Sequence, residues 1–243
     1  TLRFWGIGES ALAEKVAAFL NLSNPTVAPY ASQGEVRLRV SARAPSQAEA
    51  EELIEPVARQ LQKIGGLDYF GADDDTLASV VGQLLSKASE TLSVAESCTG
   101  GGLGCMITNV AGSSNYFLGG VISYDNSVKA NVLGVHQSDL YSVGAVSKSV
   151  AMQMAVGARS LLSSHWALSI TGIAGPGGGT DTKPVGLVYI GLAHPDGTVE
   201  CFKYQLGQNR SRSAIRHASA CNALDQLRRK LLSRGSSLNH HPR

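Results

Sequence analysis

Thr91-Leu92-Ser93-Val94-Ala95-Glu96-Ser97-Cys98-Thr99-Gly100-Gly101-Gly102 reads as a strand over Thr91 to Ala95, a glycine-rich turn, and the start of a helix ending near Val110. Strand, glycine turn and helix in that order belong to an open α/β sheet. They put the turn at the C-terminal edge of the strands, where ligands of such folds bind. Glycines let backbone N–H groups approach an anion, and a helix N-terminus adds a favourable field. The same donors suit an oxyanion formed beside Ser97. Taken alone, the stretch reads first as a structural glycine turn. It is not a Walker loop, because no Gly-Lys-Ser/Thr follows.

Downstream the alternation continues. A strand is predicted over Gly120 to Tyr124, and Ser147 caps a helix running to about Leu162. Trp166 to Ile170, Val185 to Ala193 and Val199 to Leu206 are strands, the middle one continuously apolar. The last helix covers Arg212 to Leu232, with Ile215, Ala218, Leu224, Leu227 and Leu231 on one face. These elements predict a three-layer α/β domain with a mixed sheet over 76–233. Residues 234–243 are expected to be a frayed tail whose His240 and His241 form no metal site.

Upstream lies a smaller α+β unit, 1–71. Leu2 to Ile7 is a strand, Ala11 to Leu20 a helix, and Pro25 to Ala31 extended. Val36, Leu38 and Val40 alternate with Arg37, Arg39 and Ser41, as in a half-buried strand. Ser46 with Glu49 makes a capping box for a helix that Gly65-Gly66 stops, and Leu67 to Phe70 is a last strand. The order β-α-β-β-α-β fits an open sheet with both helices on one face. Gly71-Ala72-Asp73-Asp74-Asp75 is the expected boundary, followed by a helix from Thr76 to Leu85 or beyond.

The 243 residues suit one large domain or two smaller ones at roughly 100–200 residues each. Hydrophobic residues make up 43% and charged residues 16%, and the mean hydropathy is +0.01, so a packed core is expected rather than disorder. No apolar run reaches the roughly 18 residues of a membrane helix, and no leader marks export. The chain opens on Thr1 rather than Met, which points to a fragment or processed product with an upstream domain missing. Residues 1–75 carry 7 Lys/Arg against 11 Asp/Glu, net −4; residues 76–243 carry 14 against 8, net +6. The basic part suits a small anionic ligand as well as nucleic acid. Cys98, Cys105, Cys201 and Cys221 form no CxxC pair, so reduced thiols in a cytoplasmic protein are expected.

Three further stretches carry candidate chemistry. Tyr124-Asp125-Asn126-Ser127-Val128-Lys129 follows a predicted strand. A lysine becomes a base only when burial or a neighbouring cation lowers its pKa; without that, Lys129 is a surface helix lysine. Thr171-Gly172-Ile173-Ala174-Gly175-Pro176-Gly177-Gly178-Gly179-Thr180, continued by Lys183-Pro184-Val185-Gly186, is far longer than a hairpin needs. Extended loops in compact domains are commonly functional, a mobile surface loop being the alternative. Arg210, Arg212 and Arg216 stand at the start of the last helix, where arginine suits phosphate or carboxylate, or merely a solvated helix end.

Glu96-Ser97-Cys98-Thr99-Gly100-Gly101, Ala111-Gly112-Ser113-Ser114, Tyr124 with Lys129, Gly144-Ala145-Val146-Ser147, Thr171-Gly172-Ile173-Ala174-Gly175-Pro176 and Lys183-Pro184-Val185-Gly186 together resemble the C-terminal domain of CinA proteins, the nicotinamide-mononucleotide deamidase. The resemblance spans about Leu77 to Leu232, with six motifs in family order. Residues 1–70 are similar to the KH-like middle domain of that family, while its N-terminal nucleotide-hydrolase domain has no counterpart here. The resemblance implies hydrolysis of the carboxamide of nicotinamide mononucleotide to nicotinate mononucleotide and ammonia, without metal or cofactor. It implies Ser97 as nucleophile, Lys129 as base and Tyr124 beside them. It also implies substrate contacts from Thr99, Gly100, Gly101, Thr171, Gly172 and Arg212, with the phosphate on glycine-turn amides and arginine. Family members commonly read Gly-Asp-Arg before the last helix. Here the stretch is Gly207-Gln208-Asn209-Arg210-Ser211-Arg212, and Arg210 and Arg212 compete for that position. The spacing to Ile215-Arg216 favours Arg212.

The rival reading is non-catalytic: a competence or recombination adaptor, or a nucleic-acid-binding module. A KH domain clamps backbone with a GxxG loop. The corresponding turn here is Gly6-Ile7-Gly8-Glu9, and the first unit is net acidic, so nucleic acid is not expected as partner. A homodimer is the expected assembly, two-fold dimers being the commonest closed oligomers.

Overall fold

A computed structural model describes residues 1–238. The chain divides into two compact units, Thr1–Val80 and Val81–Arg243. In the first, β1 (Leu2–Trp5), α1 (Glu9–Lys15), α2 (Ala17–Leu20), β2 (Thr26–Ser32), β3 (Glu35–Ser41), α3 (Gln47–Gly65) and β4 (Tyr69–Ala72) follow one another. The sheet order is β2-β3-β1-β4, antiparallel throughout, with Leu2 opposite Leu38 and Phe4 opposite Val36. Leu12 and Val16 from the first helices and Leu61 from α3 pack on Leu2, Phe4, Val36 and Leu38, so the helices share one face. The predicted helix over 11–20 is broken at Val16, and the last strand starts at Tyr69, two residues late, because a 3-10 turn occupies Gly66–Asp68. Ser46 caps α3 as read, its Oγ accepting the Glu49 N–H at 3.3 Å.

Helix α4 (Leu77–Ala88) leads into β5 (Leu92–Glu96), α5 (Gly102–Thr108), β6 (Phe117–Ile122), α6 (Asn126–Leu133), α7 (Gln137–Ser142), α8 (Lys148–Leu162), β7 (Trp166–Gly172), β8 (Leu187–Ala193), β9 (Val199–Gln205) and α9 (Arg212–Leu238). The sheet order is β6-β5-β7-β8-β9. β5 runs parallel to both β6 and β7, and β7, β8 and β9 are antiparallel. Helices α8 and α6 cover one face and α9 with α5 the other, the three layers of a mixed α/β fold.

β6 begins and ends earlier than its sequence suggests. It runs straight through Gly119 and Gly120, because a Cβ at Gly120 would lie 2.3 Å from the Val94 Cγ2 of β5. Tyr124 therefore leaves the strand for the loop beyond it. Helix α7 was not predicted. α9 continues past Leu232 to Leu238, so the tail expected from 234 starts as helix, while His240 and His241 lie outside the described residues.

Chain direction fixes where a site can form. From β5 the chain crosses to β6 on one side and then returns to β7 on the other. Loops leaving the C-terminal ends of β5 and β7 therefore diverge and open a crevice. One side of that crevice depends on α6 meeting α8 closely. A Cβ on Gly157 would fall 2.0 Å from the Leu133 carbonyl oxygen. Alanine usually stabilises a helix relative to glycine by about 1 kcal/mol; here the clash reverses the sign. Gly157→Ala is expected to lower unfolding free energy by about 1–3 kcal/mol in urea denaturation. A stability gain would show that the two helices separate freely.

Candidate functional site

The crevice holds a cavity of about 290 Å³. Ser97 and Cys98 enter it from the turn after β5, Tyr124, Asn126 and Lys129 from the loop and helix after β6, and Thr171 and Gly172 from the end of β7. Arg212, first residue of α9, closes one side.

Ser97 extends the strand ladder by one bond, its N–H donating to the Ile170 carbonyl at 2.9 Å. Its Oγ makes no hydrogen bond among the described residues. Cys98 beside it is buried, and burial pushes its thiol up to about 11, against smaller opposing effects of its own N–H, Arg212 and Arg216. The thiol is the stable form at neutral pH.

Lys129 is not the surface lysine that α6 alone would present: it is 1% exposed. Asp125 caps α6 by accepting the Ser127 N–H at 2.8 Å, and Gly134 ends it in the left-handed region at φ 68°. One helical turn inside that cap, the Lys129 side chain turns back beneath the loop. Its Nζ donates to the carbonyls of Ser123 (2.7 Å) and Tyr124 (3.1 Å). Desolvation lowers its pKa from the ordinary 10.5, opposed by the charge of Asp125 and by Cys98.

Tyr124 is exposed at the rim, and its hydroxyl accepts from Arg212 Nη2 at 3.1 Å. Arg212 Nη1 donates to the Gly175 carbonyl at 2.7 Å, tying the glycine-rich loop to the rim. Thr171 Oγ1 donates to the Ala145 carbonyl at 2.9 Å. Lys183 leaves the cavity for the Val143 carbonyl at 2.5 Å, and Arg210 is exposed on the preceding loop.

Thr99, Gly100 and Gly101 do not line the cavity. Gly100 N–H donates to Ser97 O at 3.0 Å and Gly101 N–H to Glu96 Oε2 at 3.1 Å. Leu103 and Gly104 also donate to the Glu96 carboxylate, at 3.0 and 2.8 Å. The chain's own carboxylate thus fills the α5 N-terminus that the sequence offered to a phosphate. Arg216, grouped with the anion-binding arginines by sequence, instead donates to the Thr99 carbonyl at 2.6 Å. Asn126, Ala145 and Val146, which lie in quoted stretches but were given no role, also line the cavity. The Asp-Asn-Ser cap before Lys129 was the available signal for Asn126.

A hydroxyl, a buried lysine and an arginine thus line a cavity at the switch point of a mixed-sheet α/β protein. Residues 74–231 match the CinA C-terminal domain and residues 1–71 the damage-inducible protein CinA KH domain. The chain belongs to the CinA family. It is 68% identical over 234 residues to a CinA-like protein of Trichormus variabilis, covering 96% of this chain and 56% of that one. A CinA-like protein of Nostoc punctiforme is 67% identical with the same coverage. The chain therefore spans about half the length of these relatives. Among solved structures, the competence/damage inducible protein CihA of Agrobacterium tumefaciens aligns with a TM-score of 0.63 at 38% identity, over 67% of this chain and 97% of that one. A CinA superfamily protein of Klebsiella pneumoniae aligns with a TM-score of 0.62 at 29% identity, over 65% and 96%. Among the described residues no helix is long and apolar enough to cross a membrane, and no group of three or more His, Cys, Asp or Glu is placed to hold a metal ion.

Proposed function

We propose that this chain hydrolyses the carboxamide of nicotinamide mononucleotide to nicotinate mononucleotide and ammonia. The observation carrying the reading is Lys129, a lysine stripped of water and held at the cavity that Ser97 lines. Neutral Lys129 takes the Ser97 proton as Oγ attacks the carboxamide carbon. It returns that proton to the departing ammonia, and water then cleaves the acyl ester. Tyr124 and Arg212 stand at the rim, with Arg212 as the cation for the substrate phosphate. Cytoplasmic location and a homodimer belong to the same proposal; the four cysteines include no CxxC pair, a pattern that suits a reducing compartment.

Ammonia release over a panel of pyridine amides, nucleosides and mononucleotides tests it. Release from nicotinamide mononucleotide above the other amides supports the reading, and none from any amide favours the adaptor. A charge-assisted hydrogen bond contributes about 1.5–3 kcal/mol. Arg212→Ala should therefore lower kcat/KM for the mononucleotide by about tenfold to a few hundredfold and barely change the nucleoside. Arg210→Ala is the control. Unaltered mononucleotide kinetics in both variants would place the phosphate elsewhere, with the Thr171 to Thr180 loop and Lys183 next in line.

A further inference from the structure

Two buried or half-buried charged groups serve the Ser97 turn without lining the cavity. Glu96 is the last residue of β5, 1% exposed, and its two carboxylate oxygens accept the N–H groups of Gly101, Leu103 and Gly104. Arg216 reaches from α9 and donates Nη2 to the Thr99 carbonyl, 117 residues away in sequence. Between them lie Ser97, Cys98, Thr99 and Gly100.

An ordinary helix cap comes from the residue just before the helix. Here that residue is Gly101, left-handed at φ 92°, after Gly100 at φ 57°. The two glycines fold the chain back so that the strand itself supplies the cap. The turn is thereby fastened to the sheet, which Ser97 also joins through its bond to Ile170, while Ser123 N–H donates to the Glu96 carbonyl at 2.8 Å. Inside the turn, Gly100 N–H bonds Ser97 O and Gly102 N–H bonds Thr99 O at 3.1 Å. Thr99 O is thus held from both the helix and α9.

We propose that Glu96 and Arg216 are a pair of positioning residues. Glu96 gathers the N–H groups at the far end of the turn and Arg216 fixes its carbonyl, and together they set where Ser97 Oγ stands relative to Lys129. The pair acts on the nucleophile's placement and not on the phosphate, which separates Arg216 from Arg212 four residues earlier. The activity readout rests on the deamidase reading; a second readout does not.

The experiment uses Glu96→Gln, Arg216→Ala, Arg216→Lys and the Glu96→Gln/Arg216→Ala double variant in the full-length protein. Glutamine keeps the shape but turns an NH₂ toward backbone donors. kcat and KM for the mononucleotide are measured beside the rate at which a fluorophosphonate labels Ser97. Misplacing a reacting group by about 1 Å costs on the order of 10²-fold. Glu96→Gln and Arg216→Ala should each lower kcat by about 10–100-fold with KM within about threefold, and labelling should slow in parallel. The double variant should fall little below the worse single one, since both act through one turn. Arg216→Lys, which can still donate to Thr99 O, should recover part of the loss.

Unchanged kcat and labelling, a loss confined to KM as expected for Arg212→Ala, or losses that multiply would each overturn the pair. If Glu96→Gln does not fold, the two Arg216 variants decide by the same split. If the wild type releases no ammonia yet labels at Ser97, the deamidase reading fails and the labelling rates alone judge the pair. A wild type that does not label overturns the proposal.

Discussion

Ser97→Ala is expected to reduce ammonia release from nicotinamide mononucleotide by about 10⁴-fold or more, the scale on which loss of an activated nucleophile acts. The fold should survive, because Ser97 is held through its backbone bond to Ile170 and its Oγ makes no hydrogen bond among the described residues. Cys98→Ala is the necessary companion. A thiol is intrinsically the better nucleophile, but only as thiolate, and burial holds the Cys98 thiol up at about 11. Its removal should leave most of the activity. Steady-state rates with circular dichroism on both variants check this. Activity surviving in Ser97→Ala and lost in Cys98→Ala would exchange the two roles.

Lys129→Arg is expected to be nearly as inactive as Lys129→Ala, both about 10²–10⁴-fold below wild type, the range of a lost general base. Arginine keeps the positive charge but stays protonated at any working pH. The pH profile carries the same argument. Lys129 accepts the Ser97 proton only when neutral, and desolvation lowers its pKa from 10.5. The neutral fraction grows as pH rises through the lowered value, so kcat/KM should climb with pH and level off below 10.5. A flat profile, or near wild-type turnover in Lys129→Arg, would reduce Lys129 to a fixed charge.

The cavity lining was legible where its residues announce themselves locally. Ser97 sits in a glycine turn after an apolar strand, and the Thr171–Gly172 pair ends another. Ser97, Lys129, Tyr124, Thr171, Gly172 and Arg212 all line one cavity. Thr99, Gly100 and Gly101 do not. A glycine turn in sequence promises free amides, and nothing in its spacing tells that the Gly101 N–H goes to the Glu96 carboxylate and the Gly100 N–H to Ser97 O.

By itself the sequence determined the order of the strands and of the longer helices, because period-2 and helical patterns, caps such as Ser46 and Ser147, and glycine stops act over a few residues. It also determined the layered α/β class, since alternating apolar strands and one-faced helices have few ways to bury both. Only the tertiary structure decided the course of β6 through Gly119 and Gly120, the neighbouring strand leaving no room for a Cβ at Gly120. It alone buried Lys129 under the Ser123 and Tyr124 carbonyls and sent Arg212 to the rim but Arg216 to Thr99. Burial, and the partners that Arg212 and Arg216 find 88 and 117 residues away, arise from distant segments meeting in space, which the residue's neighbours in the chain do not reveal.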